Sequence, residues 1–63
     1  MKVDKDKVAL IRAEKCLSVS DLREAGVTSG NLNSIWNHKN MKPETVGKIA
    51  KALGVHVAEI IAD

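Results

Sequence analysis

Residues 17–37 read LSVSDLREAGVTSGNLNSIWN, and two helix starts separated by one glycine can be read from this stretch. Ser18 and Asp21 form a hydroxyl-then-acid pair three apart, the spacing of a capping box, and Leu22 and Ala25 follow as the apolar side of a short helix. Gly26 directly after that segment marks a left-handed stop. Val27-Thr28 then restarts the chain into a third helix, with Leu32, Ile35 and Trp36 assigned to its buried side. Two short helices joined by a tight glycine-containing turn make the helix-turn-helix outline.

The same logic extends in both directions. Apolar residues five apart flank candidate helix starts at Val3 and Val8, Leu17 and Leu22, Val27 and Leu32, Met41 and Val46, and Val55 and Ile60. This is the hydrophobic staple, in which the residue just outside a helix packs on the fourth inside it. The residues after the first members, Asp4, Ser18, Thr28, Lys42 and His56, are then the N-caps. The first three have side-chain oxygens suited to the free amides of a first turn, and Lys42 and His56 do not. Val8 and Ile11 place a first helix over about Lys5 to Lys15. His38 to Lys42 lacks periodicity and reads as a loop. Pro43 sits where a helix tolerates proline best, and Val46, Ile49, Ala50 and Leu53 carry the clearest amphipathic pattern of the chain up to Gly54. Val57, Ile60 and Ile61 suggest a short fifth helix. No segment alternates with period two, so no sheet is expected.

Sixty-three residues allow one domain, residues 1–63, close to the size below which an unstapled core fails. One cysteine precludes an internal disulfide and a multi-cysteine zinc site, and neither a metal nor another cofactor is expected. No apolar run is long enough to span a bilayer, and the charged start has no apolar signal region behind it. A cytoplasmic protein with no membrane contact and no evident small-molecule ligand is the expectation. Net charge is only +2, unlike the basic tails that coat nucleic acid indiscriminately. Between Glu24 and Glu44, however, no acid occurs, and Lys39 and Lys42 lie in that window.

Leu17 to Asn37 followed by Pro43 to Ile61 resembles the Cro/C1-type helix-turn-helix family of small phage and bacterial repressors. The resemblance rests on Leu22, the turn Gly26-Val27-Thr28, Leu32 with Ile35, the closing Asn37, Lys48-Ile-Ala-Lys-Ala-Leu-Gly-Val55 and Glu59-Ile-Ile61. It implies an all-α, lambda-repressor-like domain of five short helices, the second and third forming the helix-turn-helix. It further implies sequence-specific binding of double-stranded DNA by a transcription regulator, with the helix at about 29–37 in the major groove. Carried over by position, Ser29, Gly30, Asn33 and Ser34 face bases, with Asn31 at the edge. Phosphate contacts fall to Ser18, Ser20, Thr28, Asn37, Lys39 and Lys42. A homodimer on DNA is expected, through the C-terminal region near Val57 or Ile61, or through Leu10.

Three features depart from the family pattern: the stretch from Leu22 to Gly26 is one residue short with Arg23 in place of a small alanine, Cys16 stands where glycine commonly ends the first helix, and Trp36 stands where many relatives carry a glutamate that pairs with the arginine kept here as Arg12, so that Arg12 is expected to stack on the indole. The competing reading is a protein-binding module on the same scaffold, an antitoxin, antirepressor or regulator partner, favoured by the uncharged recognition face. Enzymatic activity is not expected, because His38 and His56 lack nearby nucleophiles or carboxylates in a shared motif.

Overall fold

A computed structural model describes residues 1–62. It contains α1 (Lys5–Lys15), α2 (Val19–Glu24), α3 (Ser29–Trp36) and α4 (Pro43–Leu53), followed by one 3₁₀ turn, Val57–Glu59. Both members of all five staple pairs lie in the hydrophobic core or pack against it. Val3, Val8, Leu22, Val27, Leu32, Val46 and Ile60 are buried, together with Ile35, Ile49, Ala50 and Leu53. No polar or charged residue is buried among the described residues. The core is thus built from helix-entry residues as much as from helix interiors, an economical solution for a short chain.

Each helix start uses the cap its sequence allows. The Asp4 carboxylate accepts from the amides of Asp6 and Lys7 at 2.9 and 3.3 Å. Ser18 Oγ accepts from the Asp21 amide at 3.1 Å while the Asp21 carboxylate accepts from the Ser18 amide at 2.9 Å. Thr28 and Asn31 repeat this reciprocal pattern. Lys42 makes no side-chain cap, and Pro43 opens α4 instead. At the last start the backbone amide of His56 donates to Glu59 at 2.8 Å.

All four helices end alike. A left-handed residue follows each one: Cys16 (φ 54°), Gly26 (φ 104°), His38 (φ 52°) and Gly54 (φ 71°). The next amide reaches back five residues, Leu17 to Arg12, Val27 to Leu22, Lys39 to Ser34 and Val55 to Ala50, at 2.9–3.0 Å. This six-to-one bond, with the shorter bond from the left-handed residue, is the Schellman closure. Cys16 adopts it despite carrying a Cβ, and Arg12 Nε reinforces the turn by donating to the Leu17 carbonyl at 3.1 Å.

Two expectations are corrected. The fifth helix is a single 3₁₀ turn, because the backbone beyond it is claimed by the N-terminal segment. Asp4 N–H donates to Ile60 O at 2.7 Å, Ala62 N–H to Lys2 O at 2.9 Å, and Val3 and Ile61 form an isolated antiparallel bridge. A helix continuing through Ile61 would have to surrender that pairing. Trp36 is not on the buried side: it is 42% exposed. At about 100° per residue it lies roughly 40° beyond Leu32, on the side away from Ile35, at the margin of the buried arc.

The end conformations make a direct test. Cys16→Gly removes the cost of a left-handed side chain and, after allowing for a looser unfolded chain, should raise stability by about 0.5–1 kcal/mol. Gly26→Ala should lower it by about 1–2 kcal/mol from backbone strain alone, since an added Cβ there meets nothing within 4 Å. Chemical denaturation of the two variants checks both signs.

The α2 cap supplies a second test. The Asp21 carboxyl titrates below its ordinary value of 3.8 because Ser18, first through its backbone amide and then through its side chain, favours the charged form. Its stabilising effect is complete above that ordinary value and disappears as pH falls through the lowered one. The stability gap between the parent chain and Asp21→Asn should therefore be widest near neutral pH and close in acid, as read by unfolding curves across pH.

Candidate nucleic-acid interface

The turn between α2 and α3 is built around Val27. Its amide closes α2 on Leu22 O at 3.0 Å, and its buried side chain belongs to the same core cluster as Leu32. With Leu32 and Ile35 drawn inward, Ser29, Gly30, Asn33, Trp36 and Asn37 are left exposed, and Asn31 and Ser34 flank them half-buried. One residue spacing, buried at 32 and 35, thereby defines a continuous outward face on α3.

The side chains on this face are not equivalent. Asn37 Nδ2 donates to Asn33 Oδ1 at 2.8 Å and to the Asn33 carbonyl at 2.9 Å. The Asn33 amide is thereby oriented, and its Nδ2 donors and the second lone pair of Oδ1 make no bond within the chain among the described residues. An exposed side-chain amide with a free donor and remaining acceptor capacity has the pattern that matches the adenine edge in a major groove. Asn31 is committed instead to the Thr28 amide, and Ser34 Oγ donates to the Gly30 carbonyl at 3.0 Å. These two groups support the start of α3.

Gly30 weakens α3 by about 1 kcal/mol relative to alanine, yet an added Cβ would meet only Thr28 Oγ1, at an ordinary 3.7 Å. Nothing inside the chain requires the missing side chain. Its effect is to leave backbone bare at the first turn of the outward face.

The residues assigned to phosphate surround α3. Thr28 precedes it, and Asn37, Lys39 and Lys42 follow it, all exposed. No acidic side chain lies anywhere from Ala25 to Pro43. At the start of α2 the Asp21 carboxylate already occupies the positive helix end that Ser18 and Ser20 offer, so that end is partly neutralised. Lys39 and Lys42 are therefore the stronger source of attraction for an anion.

The missed feature of this surface is the outward placement of Trp36, about 60° around α3 from Asn33 and 20° from Ser29. Helical geometry alone contains that signal, although the apolar indole suggests core material. The link between Asn33 and Asn37 was likewise readable as an i, i+4 pair.

Among the described residues no group of three or more His, Cys, Asp or Glu is arranged to hold a metal ion, and no helix is long and apolar enough to cross a membrane. No curated protein and no solved structure matches the chain. A model of the Cro/C1-type HTH DNA-binding domain matches residues 7–63. The chain belongs to that family of DNA-binding transcription regulators.

Proposed function

We propose that this protein is a sequence-specific repressor or Cro-like regulator, of the small phage or mobile-element kind, that inserts α3 into the major groove of double-stranded DNA. Its DNA partner puts its work in the cytoplasm. The observation that carries the reading is the exposed Asn33 side chain, whose Oδ1 accepts from Asn37 Nδ2 while its own Nδ2 makes no bond within the chain among the described residues. Asn33 reads a base, Ser29 makes an adaptable hydroxyl contact, and Gly30 lets the helix backbone approach the groove. Asn31 and Ser34 act through the shape of α3. Ser18, Ser20, Thr28, Lys39 and Lys42 contact phosphate, and Asn37 orients Asn33 beside the backbone. Trp36 packs its indole against the sugar edge of the groove. The protein works as a homodimer, because one eight-residue helix reads too few bases for a useful site.

A second reading, a module that binds protein on the same scaffold, is favoured by one observation: α3 contains no Arg, Lys or Gln. Selection of bound duplexes from a random pool separates the two. An enriched palindrome whose binding weakens steeply with salt supports the regulator. Absence of any enriched duplex at low salt supports the protein-binding module.

On an enriched duplex, Asn33→Ala should weaken binding about 5- to 150-fold and relax preference at one base position. Lys39→Ala should weaken binding to all sequences alike and reduce the salt slope by about one. Gly30→Ala should make the free protein more stable while weakening the complex. Trp36 is the chain's single tryptophan, so its fluorescence should change on DNA addition with the same midpoint as anisotropy of labelled duplex. An unchanged emission at saturation would place the indole outside the interface.

A further inference from the structure

A groove of about 620 Å³ runs between α1 and the C-terminal 3₁₀ turn, lined by Lys7, Leu10, Ile11, Glu14, Val55 and Ala58 among others. At its edge Leu10 is 62% exposed, more than any other large apolar side chain among the described residues. On α1, Lys7 and Glu14 are seven residues apart and share one stripe, with Leu10 and Ile11 between them. Glu14 makes no hydrogen bond within the chain among the described residues. Lys7 Nζ uses one proton on the Ile61 carbonyl at 3.0 Å and keeps two others.

The order along this stripe is base, apolar pair, acid. Turned end for end, it becomes its own complement. We propose that this face is where a second copy of the chain docks, with the two α1 helices antiparallel about a two-fold axis passing between Leu10 and Ile11. Lys7 of each copy then faces Glu14 of the other, while Leu10 and Ile11 close the centre and enter the groove beside Val55 and Ala58. An isologous contact requires a patch that complements itself. A strongly acidic or basic partner would instead select a stripe of one sign, which α1 does not have.

The contact is small. A stripe of two helical turns covers less than the roughly 1,200–2,000 Å² that holds stable complexes, so free dimers are weak and reversible. The proposal deepens the DNA-binding reading, on which its purpose rests, because two weakly joined copies become a tight binder once DNA aligns them.

The test is sedimentation equilibrium of the full chain without DNA, at low salt and up to about millimolar concentration. The expected result is a monomer–dimer equilibrium that weakens with salt. Lys7→Glu alone and Glu14→Lys alone should each weaken it about tenfold or more, because symmetry turns two attractive pairs into two repulsive ones. The double variant Lys7→Glu with Glu14→Lys restores complementarity and should return within about threefold of the parent. Leu10→Lys should be monomeric. Both charge changes suit the α1 dipole, with an acid in the first turn and a base in the last, and circular dichroism of each variant should show the parent helix content. A chain that stays monomeric throughout, or single variants that dimerise as tightly as the parent, would overturn the proposal. Dimers behaving as expected in a chain that binds no duplex would leave this proposal standing and remove the DNA reading. Tight duplex binding alongside dimers indifferent to these substitutions would do the reverse.

Discussion

Val27 performs two tasks with two different parts of itself, and the rest of the molecule depends on their coincidence. Its amide closes α2 by bonding Leu22 O, and its side chain anchors the start of α3 by joining the core cluster that holds Leu32. Gly26 makes this possible by taking the left-handed conformation one residue earlier. Because the stop of one helix and the start of the next share a residue, the turn has no slack. The direction of α3 is therefore fixed by the core, and with it the direction in which Asn33 presents its amide. A longer or looser connection would leave the same side chains with no defined aim, and a recognition surface needs an aim more than it needs many groups.

The same device is repeated elsewhere with less suitable residues. Cys16 and His38 occupy the left-handed position that Gly26 and Gly54 fill without cost. The chain accepts backbone strain at two of its four helix ends in return for short connections, since each connection consumes residues that a 63-residue domain needs for its core. Its N-terminal segment is put to similar use. It pairs with Ile60 and Ala62 on one side, and its Met1 carbonyl accepts from the Met41 amide on the other at 2.7 Å. The loop after α3 is consequently tied to the C-terminal turn through four residues of extended chain. That tie holds the Lys39 and Lys42 region at a fixed place beside α3.

Local rules made most of this fold legible in the sequence. Staples and caps are contacts within five residues, so their residue types announce them directly, as Val27 with Leu32 and Thr28 do. The end of the chain defeats local rules for the opposite reason. Val57, Ile60 and Ile61 have a helical spacing, but their conformation is decided by pairing with residues nearly the whole chain away, Lys2 to Asp4, which no local pattern contains. Composition misleads at Trp36, because a large apolar ring suggests burial where its helical angle puts it at the margin. At the candidate site the residue types of α3 were readable, but their division of labour was not. Whether an asparagine keeps its amide donors free, as at position 33, or supports a turn, as at position 31, depends on which neighbour its amide reaches.

Under the proposed function, this division would also decide how such a small protein obtains both affinity and choice. The outward face of α3 has amide and hydroxyl groups but no formal charge, so under the proposed reading it gains little from a phosphate backbone and would discriminate mainly by hydrogen-bond pattern. On that reading attraction would come from Lys39 and Lys42 at its border, which would contribute equally on any sequence. Neither source alone distinguishes one site from the many that resemble it. Pairing two copies doubles the pattern that must be matched while adding the same indifferent attraction twice, and so improves the ratio of specific to general binding. For that gain the contact between copies should be weak. A dimer held tightly in solution would align its reading helices whether or not the second half-site matched, whereas a contact that forms firmly only when both copies are seated makes occupancy depend on both matches.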